Sequence, residues 1–262
     1  MKVVILAGGL GTRIGEVTSD KPKPMVEIGG RPILWHIMKI YHFHGFRDFI
    51  ICLGYKGDVV RQYFLNYRLS SSDITIDCGS EEVVIHDSNA EDWRVTLVDT
   101  GQFSQTGSRV KKILPFVRNE DAFCLTYGDG VGDVDIRALI ELHHRKKTIA
   151  TVTAVRPPGR FGALELKENT DGDTMVAKFI EKPVGDGGYI NGGFFVLSPD
   201  VERYLSDENQ LVWENEPLRN LAKDNQLVAY RHDGFWHPMD TLRDRVYLEN
   251  LWNSESPPWR LW

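Results

Sequence analysis

Cysteine is scarce in this chain of 262 residues. Cys52, Cys78 and Cys124 are odd in number and widely spaced, so they form neither a disulfide framework nor a thiolate metal pattern, and they suit a reducing compartment. Long apolar runs are missing too. The opening stretch from Val3 to Ala7 is too short for a signal peptide or a membrane span, and no later stretch reaches that length. There is no excess of basic residues: 31 Lys and Arg stand against 37 Asp and Glu, a net charge of -6. A nucleic-acid surface is therefore disfavoured, although a local basic pocket is not. The usual catalytic signatures are also absent. No GxxxxGK[ST] loop, no GxGxxG, no G-x-S-x-G and no Cys/His nucleophile pattern occurs. His42 and His44 are two apart and would point in different directions on a helix, and the other six histidines lack ligand spacing, so no zinc is assigned. A soluble, cytoplasmic protein that touches neither nucleic acid nor membrane is expected.

What is present is an α/β pattern. Val3 to Leu6 reads as a buried strand. Residues 8–31 read as one long loop rich in Gly, Pro and Lys, and loops of that length in compact domains are commonly functional. Pro32 opens a helix whose apolar face is Ile33, Leu34, Ile37, Ile40 and Tyr41, and Gly45 ends it. A strand at 48–55, a helix at 58–67, a strand and turn at 122–130, a helix near 135–146 and the strand ATVTAV follow. This alternation predicts a Rossmann-like, doubly wound sheet, mostly parallel, with ligands at the carboxyl ends of its strands. The stretches GALEL, MVAKFIEKP and INGGFFVLS predict short strands of a mixed sheet attached to the first. Residues 73–98 carry further β signal, and helices are expected near 214–223 and 241–252. The tryptophan-rich tail is expected to pack on its own body or on a neighbouring subunit.

The loop GGLGTR after the first strand has the makings of a phosphate cradle. Glycines expose backbone N–H groups, and Arg13 adds a charged fork. In SDKPKPMVEIGGRP, proline holds the preceding Lys21 and Lys23 extended. Either piece alone is equally a strand-end turn or a solvated basic loop; together they favour a polyphosphate site.

LAGGLGTR followed by KPKPMVEIGGRP resembles the nucleotide-binding signature of sugar-1-phosphate nucleotidyltransferases, and the likeness continues through LVDTG, TGSR, YGDG, GRFGAL, EKP, INGGFFVL, WENEPL and FWHPMDTLRD over the whole chain. The DTG, TGSR and GRFGAL segments are most similar to members that use CTP with glucose 1-phosphate; residue chemistry alone does not choose the base. The resemblance implies one domain over 1–262, with a nucleotide-binding half (1–155) and a sugar-binding half carrying the C-terminal helix and tail (156–262). It implies catalytic Arg13 and Lys23, and nucleotide contacts from Leu6, Ala7, Gly8, Gly9, Gly11, Thr12, Thr100, Gly101, Thr106, Gly107, Arg109 and Gly128, with Arg109 nearer phosphate than base. Gly162, Ala163, Glu181, Lys182, Asn191 and Gly192 are implied for the sugar phosphate, and Asp129 and Asp240 for Mg²⁺. The plainer alternatives are a turn aspartate, an N-cap aspartate, a surface Glu–Lys pair and strand bulges. A homo-oligomer, hexameric in related enzymes, and CDP-sugar supply for surface polysaccharide such as O-antigen are further implications. Transfer from UTP or dTTP, or a non-catalytic sensor on the same fold, remain alternatives.

Overall fold

The computed structural model describes residues 1–9, 20–157, 188–254 and 256–262, and the backbone of two strands at 163–168 and 174–180. In chain order the elements are β1 (Val3–Leu6), a 3-10 turn (Lys23–Met25), β2 (Glu27–Ile28), β3 (Arg31–Pro32), α1 (Ile33–Phe43), β4 (Asp48–Leu53), α2 (Gly57–Leu65), α3 (Tyr67–Ser70), β5 (Ser72–Asp77), β6 (Glu82–Ser88), β7 (Arg94–Asp99) and α4 (Thr106–Val117). Then come β8 (Phe123–Tyr127), β9 (Gly130–Gly132), α5 (Ile136–Lys146), β10 (Ala150–Val155), β11 (Ala163–Glu168), β12 (Thr174–Ile180), β13 (Ile190–Leu197), a second 3-10 segment (Pro199–Tyr204), α6 (Glu216–Lys223), β14 (Leu227–His232), β15 (Trp236–Pro238) and α7 (Leu242–Asn253).

Seven strands form the central sheet in the order β14-β10-β13-β8-β1-β4-β7. The pairs β1/β4, β1/β8, β4/β7 and β10/β14 are parallel. β13 runs antiparallel to both of its neighbours, β8 and β10. Alternation along β1 explains why the sheet is covered on both faces. Val3 and Ile5 join one core with Ile33, Ile37, Tyr41, Phe49 and Trp259. Val4 and Leu6 join the other with Ile50, Val110, Ile113, Phe195 and Trp213. A strand buried on both sides must be apolar at every position, as VVIL is.

The helix boundaries follow local chemistry. Pro32 sets α1 with φ near -56°, and Gly45, at φ +98°, lets the chain leave through bonds from Gly45 N to the His42 carbonyl and from Phe46 N to the Tyr41 carbonyl. Asp135 caps α5 by accepting from the Ala138 amide, and Thr241 with Asp244 forms a capping box on α7.

Three expectations change. The described part of 8–31 is not open loop: the 3-10 turn and the β2–β3 hairpin occupy it, with Met25, Val26 and Ile28 buried. INGGFFVLS is an interior strand of the central sheet, not part of a second one, while β11 and β12 pair separately. The segment 106–117 is a helix that the sequence pattern did not announce, because Gly107, Ser108 and Pro115 interrupt its helical signal.

Candidate active site

The parallel strands turn at β1: β4 and β7 lie on one side of it and β8 on the other. Doubly wound sheets open a crevice at such a switch point, beyond the carboxyl ends of the strands. A cleft of about 1020 Å³ lies there, lined by Leu6 to Gly9 after β1 and by Tyr127 to Gly130 after β8.

At its floor Lys23 Nζ donates to Asp129 Oδ2 and Asp240 Oδ1, both at 2.7 Å. Three local devices bring these groups together. Lys23 opens a 3-10 turn between Pro22 and Pro24, closed by Met25 N on the Pro22 carbonyl, and is not extended as its prolines suggested. The Asp129 carbonyl accepts from Met239 N at 2.8 Å, tying the end of β8 to the strand leading into Asp240. The Asp240 amide donates to the carboxylate of Asp244, which also closes the α7 capping box. Burial pulls the Lys23 pKa down, but the two carboxylates more than offset it, so the ammonium is held above its ordinary range. Lys21 instead pairs with Glu27 at the surface, at 2.8 Å.

Arg109 is buried beneath the glycine loop. Its guanidinium donates to the Gly8 carbonyl (2.9 Å), the Leu53 carbonyl (2.9 Å) and Thr100 Oγ1 (2.6 Å). Burial lowers its pKa against the pull of Cys52 and Asp99. Gly8 is glycine because a Cβ there would lie 2.2 Å from Arg109 Nη1, whereas among the described residues nothing lies within 4 Å of one built on Gly9. The close approach that the glycines suggested is thus made, at Gly8, by the protein's own arginine. Through these three neutral acceptors Arg109 braces β1, β4 and α4 while it lines the cleft.

A hydrogen-bond chain crosses the opposite wall. Glu214 accepts from the Tyr127 hydroxyl and, at 2.8 Å, from Thr106 Oγ1. Tyr127 in turn accepts from Asn191 Nδ2 at 3.0 Å, and Asn191 Oδ1 accepts from Gly193 N at 2.8 Å. Burial first, and then the Glu214 charge, push the Tyr127 phenol far above its ordinary pKa, so it remains a donor. Both ends of the Asn191 amide are therefore occupied. Trp236 Nε1 donates to the Gly192 carbonyl at 2.7 Å, fixing β15 against β13.

Of the residues implied by the sequence, Leu6, Ala7, Gly8, Gly9, Lys23, Thr106, Arg109, Gly128, Asp129, Gly192 and Asp240 line the cleft. Thr100, Gly101, Gly107 and Asn191 stand behind that lining: Thr100 donates to the Leu53 carbonyl, Gly101 N to Asp99, and Gly107 abuts Leu211. Gly11, Thr12, Arg13, Gly162, Glu181 and Lys182 lie outside the described residues, and Ala163 is described in its backbone only. Sequence reasoning did not single out Tyr127, Glu214, Trp236, Arg243 or Tyr247. Motif context held the only clue, since Tyr127 opens YGDG, Glu214 lies in WENEPL, and Trp236 and Arg243 lie in FWHPMDTLRD.

Among the described lining residues, three cations (Lys23, Arg109, Arg243) balance three carboxylates (Asp129, Asp240, Asp244). A floor of two carboxylates already sharing one cation has the donor chemistry of a hard divalent ion.

The nucleotidyl transferase family model matches residues 2–242. Glucose-1-phosphate cytidylyltransferase of Salmonella typhimurium is 55% identical over 262 residues, covering all of both chains. A probable glucose-1-phosphate cytidylyltransferase of Bacillus subtilis is 44% identical, also over the full length of both. Among solved structures, HddC from Yersinia pseudotuberculosis has a TM-score of 0.69 at 24% identity, covering 96% of this chain and 99% of that one, which speaks for the shared fold. On the family match and the full-length identity, the chain belongs to the nucleotidyl transferase family.

Proposed function

We infer that this protein transfers the cytidylyl group of CTP to glucose 1-phosphate, releasing pyrophosphate and forming CDP-glucose. The observation that carries the reading is 55% identity along the entire length to a glucose-1-phosphate cytidylyltransferase. The geometry agrees with it. Transfer of this kind asks a protein for positioning and charge neutralisation more than for covalent chemistry. The cleft supplies backbone at Gly8 and Gly9 for the nucleotide and a lysine–carboxylate cluster where the strands end.

Asp129 and Asp240 are the residues that would hold Mg²⁺. When bound, the ion would supply positive charge for phosphate oxygens in a cleft whose described side chains balance to neutrality. Lys23 holds those carboxylates in place and offers its charge to the same phosphates. Thr106 and the base of the glycine loop form the nucleotide side, and Gly192 on β13 the acceptor side. Arg13 is assigned to the triphosphate, and Lys182 with Glu181 to the sugar phosphate, from the sequence motifs. A homo-oligomer and a cytoplasmic location fit the family reading, and no described helix is long and apolar enough to cross a membrane.

The test is pyrophosphate release with Mg²⁺ and glucose 1-phosphate against each nucleoside triphosphate in turn. CTP is expected to give the highest kcat/KM. An equal or higher value for UTP or dTTP would remove the cytidylyl assignment and leave the family intact.

A further inference from the structure

Two of the three cations on the described wall are already committed, Lys23 to Asp129 and Asp240, and Arg109 to the carbonyls of Gly8 and Leu53 and to Thr100. Arg243 is different. It is exposed, it lines the same cleft as Asp240, and it makes no hydrogen bond or ion pair with any described residue. It also sits in the first turn of α7, where the helix dipole opposes a cation, so helix stability does not account for it. Arg245, two positions on, is engaged elsewhere, donating to the Glu27 carbonyl at 3.3 Å.

We propose that Arg243 binds a phosphate group of the reacting pair, and that this is the phosphate of the sugar 1-phosphate. The proposal rests on the transferase reading above. A guanidinium offers two parallel N–H groups to two phosphate oxygens, a match that a lysine cannot reproduce. The acceptor side is chosen by connectivity. Arg243 follows β15, which Trp236 ties to the Gly192 carbonyl of β13, the strand of the proposed acceptor wall. The nucleotide side hangs on β1 and α4 instead. Asp240, three residues before Arg243, lines the cleft with it, so a phosphate gripped here would lie beside the carboxylate cluster.

The experiment compares wild type, Arg243→Ala and Arg243→Lys. Steady-state kinetics vary CTP and glucose 1-phosphate separately, and calorimetry titrates glucose 1-phosphate and inorganic pyrophosphate onto each protein. Arg243→Ala is expected to raise KM for glucose 1-phosphate at least about tenfold, the scale of losing one charge-assisted pair. KM for CTP and inhibition by pyrophosphate should stay within about twofold, with the same Tm, and Arg243→Lys should recover part of the loss. Weaker pyrophosphate binding with normal glucose 1-phosphate kinetics would keep the phosphate contact but overturn its assignment to the acceptor. Unchanged constants for both ligands, or a uniform loss that follows a lowered Tm, would overturn the proposal entirely. Failure of the wild type to release pyrophosphate with glucose 1-phosphate would overturn the underlying reading, before any variant is made.

Discussion

Lys23 separates two carboxylates that would otherwise repel, and it is itself mostly buried. Lys23→Met removes the cation that Asp129 and Asp240 share, so a divalent ion meets one competitor fewer there. Millimolar Mg²⁺ is therefore expected to raise the Tm of Lys23→Met more than that of wild type, while kcat falls by about two orders of magnitude, as for other charge-stabilising groups. Scanning calorimetry with and without Mg²⁺ checks the first expectation; an equal response in both proteins would count against the two aspartates as a metal site. The residue scale is also where the sequence was most legible. Lys23 between prolines and Asp129 in a turn after an apolar strand are local signals. The partners of Tyr127 and Arg109 are not, because Glu214 and Gly8 reach them only through the tertiary fold. The three internal acceptors of Arg109 could not be read from its sequence neighbourhood either.

Among the elements, the C-terminal tail shows what local pattern can and cannot convey. Its tryptophans were expected to find cover, and Trp259 is fully buried, stacked on Phe235 and reaching His36 on α1. The recipient was not legible, since a buried histidine looks like any other in sequence. His36 Nε2 donates to the Ile28 carbonyl at 2.8 Å, which leaves Nδ1 to accept from Trp259 Nε1 at 3.4 Å, so the ring is neutral. Burial lowers its pKa from 6.5 to about 4. Between those values the unfolded chain holds a proton that the native ring refuses. The stability from this site is thus whole above pH 6.5 and is lost as pH falls toward 4, by about 3 kcal/mol. His143, lowered by burial to about 4 as well, acts in the same window. Urea denaturation at pH 7 and pH 4.5 should show the drop, and His36→Gln should flatten it; an unaltered pH dependence in that variant would show that His36 does not contribute. Trp259→Ala should cost about 3–5 kcal/mol by the same method, as for large aromatics removed from a core.

At the scale of the whole molecule, strand–helix alternation in the first half was sufficient to predict the parallel sheet and the cleft at its switch point. Strand direction in the second half was not, because β13 is apolar at almost every position and a strand buried on both faces reads the same for either orientation. Its place matters beyond architecture. β8-β1-β4-β7 can assemble from residues 3–127 alone, but β10 has only β13 and β14 as sheet neighbours. A fragment ending at Val155 should therefore carry an open edge along β8 and an unattached β10, and should associate in light-scattering measurements; a monomeric, cooperatively unfolding fragment would contradict this. The same topology has a history in time. A chain emerging from the ribosome holds half a sheet, with its β8 edge unpaired, throughout the synthesis of residues 128–189. The strand that closes that edge is also the one that carries Asn191 and Gly192. The proposed acceptor wall and the protection against misassembly thus arrive in a single late event.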